Sequence, residues 1–303
     1  MKIEWELTSH GHRFSTDPEK FGFLRESNDI YEDAEALRRR MEEDGYLFFR
    51  GVLPLETVLA ARRAIVEKLA SVGEIDESRP LMEAISSGTS RRGQIDTRQF
   101  GRELRTLPAL KRLVHQGEII RFFERFFGEP VRSFDYIWLR TVKPGGATGC
   151  HYDWVYMGRG TSRLYTAWTP IGDVPYQEGA LMVLENSHRI EELLNTYAKI
   201  DVDDLSKPNP YGGGWLTTNP IEVQERFGGR WLTASEGGYR AGDLLIFGMF
   251  TLHCSLDNRS PVRRIRITSD TRYQPASEPA DERWIGEDPI AHGPQAKRGA
   301  PTT

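Results

Sequence analysis

Cysteine is scarce in this chain, with two in 303 residues, Cys150 and Cys254. That is too few for a disulfide framework, and neither has a CxxC partner, so a structural zinc site is not expected. Long apolar runs are also missing. No stretch approaches the roughly 18 apolar residues of a membrane span, and the opening "MKIEWELTSHGHRF" lacks the apolar centre of a signal peptide. Nor is there a surplus of positive charge: 40 Lys plus Arg stand against 44 Asp plus Glu, a net charge of −4. This balance argues against a nucleic-acid surface or a polybasic membrane patch. What remains is a cytoplasmic protein with a small-molecule partner, and an oligomeric state that the sequence leaves open. A hydrophobic content of 38% is enough for a sizeable core.

The first half carries helical spacing. "YEDAEALRRRMEEDG" places Ala34, Leu37 and Met41 on one face, with Gly45 as a stop. Pro54 opens a second helix, and "EIIRFFERFFG" (118–128) is a third, its phenylalanines read as core. From about residue 131 strands take over, punctuated by glycine and proline: "VRSFDYIWLRTV", "CHYDWVYM", "RLYTAWTPI", "GALMVLE", "GDLLIFGMF" and "RRIRITSDTRYQ". The pattern predicts a mainly β protein, a jelly roll behind helices. The whole chain, 1–303, reads as one domain. It has a helical layer over about 30–130, a β core over about 131–275, a lid-like insert over about 190–240 and a loose tail from about 280.

In a strand alternate residues share a face, so His151 and Asp153 of "GCHYDWVY" would point the same way. One imidazole and one carboxylate then need a third ligand. His10, His12 and His292 lie in polar terminal segments, His115 in a helical one, and His188 at a strand-to-turn position. His253 follows "GDLLIFGMFTL", the clearest buried-strand signal, and is the strongest candidate. Eleven residues on, Arg264 opens a strand in which Arg264, Arg266 and Thr268 share a face. Cations running into a β core need an anion there, and a guanidinium grips a carboxylate in two parallel hydrogen bonds. Arg263 and Arg266 compete with Arg264 for that role. Two histidines, one carboxylate and an inward arginine are the parts of a non-haem Fe(II) oxygenase, whose facial triad leaves positions open for co-substrate and dioxygen.

The order "HYD" (151–153), "AWTPIGD" (167–173), "EGALMVLENSH" (178–188), "GDLLIFGMFTLHCSLDN" (242–258) and Arg264 resembles the phytanoyl-CoA dioxygenase family. "EEDGYLFFRGVLPLETV" (42–58) is similar to that family's opening, so the likeness covers most of residues 30–275. It implies an Fe(II)- and 2-oxoglutarate-dependent oxygenase on a double-stranded β-helix, cupin-like, with helices flanking the N-terminal side. It also implies that His151, Asp153 and His253 hold iron and that Arg264 pairs with the far carboxylate of 2-oxoglutarate. Ser255 and Trp168 fall at further co-substrate contacts, and Thr141 and Lys143 are looser candidates. Two features depart from the family: "LENSH" replaces its usual Pro-Gly-Ser-His, and the insert is long. Asp153 is retained, which disfavours halogenation.

The activity implied is hydroxylation of an unactivated C–H bond of a small organic molecule or secondary metabolite, with O2 consumed and succinate and CO2 released. Trp154, Trp215 and Trp231 are candidates for the substrate wall. The alternatives are the same iron chemistry giving desaturation, cyclisation or epimerisation, a non-catalytic cupin-like binding protein, and a zinc hydrolase. The last lacks an evident general base.

Overall fold

Alternation along the strands decides this architecture, which a computed structural model describes for residues 6–298. Ten strands form the two main sheets: β1 (Phe21–Phe23), β2 (Tyr46–Phe49), β3 (Val131–Ser133), β4 (Leu139–Val142), β5 (Tyr165–Pro170), β6 (Leu181–Leu184), β7 (Trp231–Thr233), β8 (Leu244–Gly248), β9 (His253–Ser255) and β10 (Arg266–Pro275). The helices are α1 (Ala34–Asp44), α2 (Leu55–Ala70), α3 (Thr97–Arg105), α4 (Pro108–His115), α5 (Glu118–Phe127), α6 (Trp154–Met157), α7 (Glu191–Asn195) and α8 (Pro220–Phe227). The larger sheet runs β2-β8-β5-β10-β3, with β4 also on β10; the smaller runs β9-β6-β7-β1. Pairing is antiparallel except between β7 and β1.

Successive side chains of the larger sheet serve two cores. Leu47, Phe49, Ala167, Ile246, Ile267 and Tyr273 face the helices, where Phe123 of α5 stacks on Tyr273 at 4.3 Å. Phe48, Trp168, Leu245 and Phe247 face the smaller sheet. On β10 the residues between, Arg266, Thr268, Asp270 and Arg272, are polar and turn into that second interior. The mixed architecture, mostly sheet with several helices, agrees with the fold read from the sequence.

Local signals explain the helix ends. Asp33 caps α1 by accepting from the N–H groups of Glu35 and Ala36. Gly45 ends it at φ +76°, and a Cβ there would lie 2.5 Å from His188 Nδ1. Four expectations need correction. "CHYDWVYM" is no strand: His151 makes a single bridge to His253, and the chain then turns into the one-turn helix α6. "VRSFDYIWLRTV" breaks into β3 and β4, both on β10. The 190–240 segment holds α7, α8 and β7 rather than one long loop. The tail, expected to be loose, is tied down: buried Asp203 accepts from Arg283 Nη1 (2.6 Å), His292 Nδ1 (2.8 Å) and Lys297 Nζ.

Candidate metal centre

The backbone brings the two histidines together before any side chain acts. His151 N–H donates to His253 O at 3.0 Å and His253 N–H to His151 O at 3.1 Å, so the pair exchanges both hydrogen bonds of an antiparallel ladder. Each ring is then fixed by its own loop. His151 Nδ1 donates to Gly149 O (2.8 Å) and His253 Nδ1 to Thr251 O (3.0 Å). A carbonyl only accepts, so each Nδ1 carries the proton and each Nε2 presents a lone pair. Asp153 Oδ1 stands 3.7 Å from His151 Nε2 and 3.9 Å from His253 Nε2. All three residues are buried, and their ligand atoms lie within 4.8 Å of one another. A metal about 2.1 Å from each donor fits that spacing. Among the described residues no other group of three His, Cys, Asp or Glu donors comes close enough.

The other carboxylate oxygen is already engaged. Asp153 Oδ2 accepts from Thr166 Oγ1 and from Arg272 Nη2 at 2.8 Å, which leaves Oδ1 for a metal. Burial alone would raise the Asp153 pKa, but the Arg272 guanidinium, helped by the Thr166 hydroxyl, outweighs it, so the carboxylate stays ionised. Burial, followed by the neighbouring His253, lowers His151 to about 3, and burial lowers His253 too. Both imidazoles are therefore neutral, the form that binds metal. Arg272 also meets Asp270 (3.3 Å) and lies 4.1 Å above the Trp138 ring, and Arg140 grips Asp270 at 2.8 and 3.1 Å.

Beside the triad a pocket is lined by Arg140, Thr148, Trp168, Arg266 and Asp270. Arg266 is 3% exposed, and its Nε has no hydrogen-bond partner among the described residues; nor has Thr268 Oγ1 on the same face. Unpaired buried donors of this kind are costly unless a ligand meets them. Burial, then repulsion from Arg140, lowers Arg266 to about 10, so it remains charged.

The expected co-substrate residues fare differently. Trp168 lines the pocket, and Ser255 Oγ accepts from Thr148 N–H at 2.9 Å just behind it. Arg264 does not reach it. The chain kinks at Arg263 (φ +63°), and Arg264 pairs with Glu178 at 3.1 Å and donates to Glu83 O. Thr141 pairs with Ile267 on the helix-facing side, and Lys143 is held by Glu74 at 3.1 Å. Trp231 is wholly buried in β7, with its Nε1 on Pro220 O, so it forms core rather than substrate wall. Trp215 is 38% exposed and packs on Gly149, and Trp154 packs on Phe250 at 5.1 Å. Sequence reasoning missed Arg140, Thr148, Thr166, Asp270 and Arg272. The alternation of β10 from Arg266 onward was the available signal for two of them.

Residues 41–266 match the phytanoyl-CoA dioxygenase (PhyH) family model. The chain belongs to the phytanoyl-CoA dioxygenase family. This dioxygenase is an enzyme of a family that works with Fe(II), 2-oxoglutarate and O2. It is 27% identical over 269 residues to the 1-deoxypentalenic acid 11-beta-hydroxylase of Streptomyces exfoliatus, covering 82% of this chain and 83% of that one. The Streptomyces arenae protein of the same name is 25% identical over 262 residues, with the same coverage. Among solved structures, the dioxygenase shares its fold with the carbocyclase SnoK (TM-score 0.54, 20% identity, 92% of this chain and 97% of that). The epimerase SnoN, in complex with Fe3+, alpha ketoglutarate and nogalamycin RO, gives 0.53 at 22% identity over 89% and 95%.

Proposed function

We propose that His151, Asp153 and His253 hold Fe(II) on one face, and that Arg266 with Thr268 receives the distal carboxylate of 2-oxoglutarate. The observation that carries this is the pairing of a buried, preformed His-Asp-His donor set with two unpartnered donors in the adjoining pocket. Fe(II) with 2-oxoglutarate supplies an oxidant from dioxygen that breaks a C–H bond, releasing succinate and CO2. The chain's own residues do the rest. The two Nδ1–H bonds aim both imidazoles, Arg272 and Thr166 hold one carboxylate oxygen, and Trp168 and Phe247 keep water from the pocket wall. Hydroxylation of a small organic molecule is favoured because the curated relatives, matched along four-fifths of the chain, are hydroxylases. The reaction is assigned to the whole chain as one domain. No helix of the described residues is long and apolar enough to cross a membrane.

The test is anaerobic. Fe(II) and 2-oxoglutarate added to metal-free protein should produce the visible charge-transfer band of the chelate, and Asp153→Ala should abolish it. Arg266→Gln should weaken 2-oxoglutarate binding by about 10- to 100-fold, as expected for a lost charge-assisted bond, while Arg264→Gln leaves it nearly unchanged. The opposite ranking of the two arginines in calorimetry would return the co-substrate role to Arg264.

A further inference from the structure

The pocket carries more positive charge than its cofactors consume. Arg140, Arg266 and Asp270 line it, and Arg272 with Asp153 lies directly behind, in ion-pair contact with Asp270, so three guanidiniums stand with two carboxylates. One positive charge is left over. Fe(II) adds two and 2-oxoglutarate removes two, so the loaded pocket keeps that excess. The Arg264–Glu178 pair lies outside and is neutral in itself.

The three arginines are not equally placed to meet a further anion. Arg272 is 1% exposed, sealed between Asp153, Asp270 and Trp138. Arg266 is buried with its Nη1 on Gly179 O. Arg140 alone of the three has an open side. It stands on β4, which among the described residues pairs only with β10, and its side chain is 40% exposed. Its Nε and Nη2 face Asp270, and Nη1 has no hydrogen-bond partner among the described residues. Arg140 also lines the same pocket as His151 and His253, so a group held there lies beside the metal donors. Tyr136 and Trp138, just upstream in the chain, meet edge to face with centroids 4.7 Å apart and offer an aromatic surface next to it.

We infer that the substrate is an organic anion, a carboxylic acid with an apolar body, and that the free edge of Arg140 binds its carboxylate while the apolar part faces the metal. This rests on the proposed function, and it assigns a substrate-binding residue that neither the family match nor the sequence motifs designate. An anion at Arg140 cancels the remaining charge. A cation there meets uncompensated repulsion, and a neutral ester gains neither benefit.

The experiment is equilibrium binding rather than turnover. Protein loaded with Mn(II), a redox-silent stand-in, and saturating 2-oxoglutarate is titrated with matched probes: adamantane-1-carboxylate, its methyl ester, 1-adamantylamine, and 1-deoxypentalenic acid with its methyl ester. The acids should bind at least about tenfold more tightly than the esters, with no binding of the amine. Arg140→Gln should erase the acid–ester difference and leave the 2-oxoglutarate Kd within about twofold, and Arg140→Lys should restore part of the preference. The lysine variant keeps a cation opposite Asp270 should the glutamine variant fold poorly. Acids and esters that bind alike, or neither detectably, overturn the inference. So does an Arg140→Gln variant that loses 2-oxoglutarate as severely as Arg266→Gln, which would make Arg140 a co-substrate residue. Failure of the underlying reading appears earlier and separately, as wild-type protein that binds no 2-oxoglutarate before any probe is added.

Discussion

When Arg272 is replaced by methionine, Asp153 keeps the Thr166 hydroxyl but loses the cation behind it. The carboxylate is then buried and uncompensated, and breaking a buried pair in this way costs about 3–5 kcal/mol. The expected outcome is a metal-free protein destabilised by that order in urea unfolding, with Mn(II) recovering a larger share of stability in Arg272→Met than in the wild type. A metal supplies the missing positive charge, so the two losses should differ. Equal losses with and without Mn(II) would mean that Arg272 acts only through its packing on Trp138. Thr166→Val, which removes one donor of two, should cost about 1 kcal/mol. The two histidines and Asp153 were legible in the sequence because they are strong donors at the ends of recognisable segments. Thr166 and Arg272 were not, because they lie 13 and 119 residues from Asp153 and meet only when β5 and β10 pair in the observed register.

At the scale of elements, a single parity step sets which face a residue takes. Thr141 and Lys143 were expected at the co-substrate, yet Arg140 is the residue of β4 that faces the pocket, because a shift of one residue moves a side chain to the other face. Likewise Arg264 has the right parity for β10 but precedes its first paired residue, and the left-handed turn at Arg263 takes it away. The tail was illegible for another reason. Its anchors are charges, and a buried carboxylate such as Asp203 has no sequence signature apart from its partners. Burial raises the Asp203 pKa, but Lys297, His292 and Arg283 outweigh it, so the folded value lies below the unfolded value. The resulting stabilisation is full above the unfolded value of about 3.9 and is lost as pH falls through the folded one. Segment 281–298 should therefore stay docked at pH 5 and release in more acidic solution. Asp203→Asn should release it at neutral pH. Emission from Trp284, buried within that segment, reports both, and an unshifted spectrum in the asparagine variant would show that Asp203 does not hold the tail.

At the scale of the whole molecule, the β core was readable because period-2 alternation carries through β5, β8 and β10, and the helical layer because helical spacing carries through α1, α2 and α5. The path of the insert over 190–240 was not readable, because its glycines and polar residues have no period, and only packing shows α8 and β7 there. Metal removal should leave this framework cooperative. Mn(II) at 100 times its Kd should then raise the unfolding free energy by about 2.7 kcal/mol, read as a concentration-dependent rise in Tm. The His151–His253 bridge has a last consequence. Its donors are aimed by backbone hydrogen bonds that exist without any ion, so the cage does not adjust itself to one metal over another. Affinity then follows the general order in which Ni(II), Cu(II) and Zn(II) surpass Fe(II). Which ion occupies the site is then set by which ion is supplied, and an enzyme poisoned by zinc would look, by every measure of stability, better made than the active one.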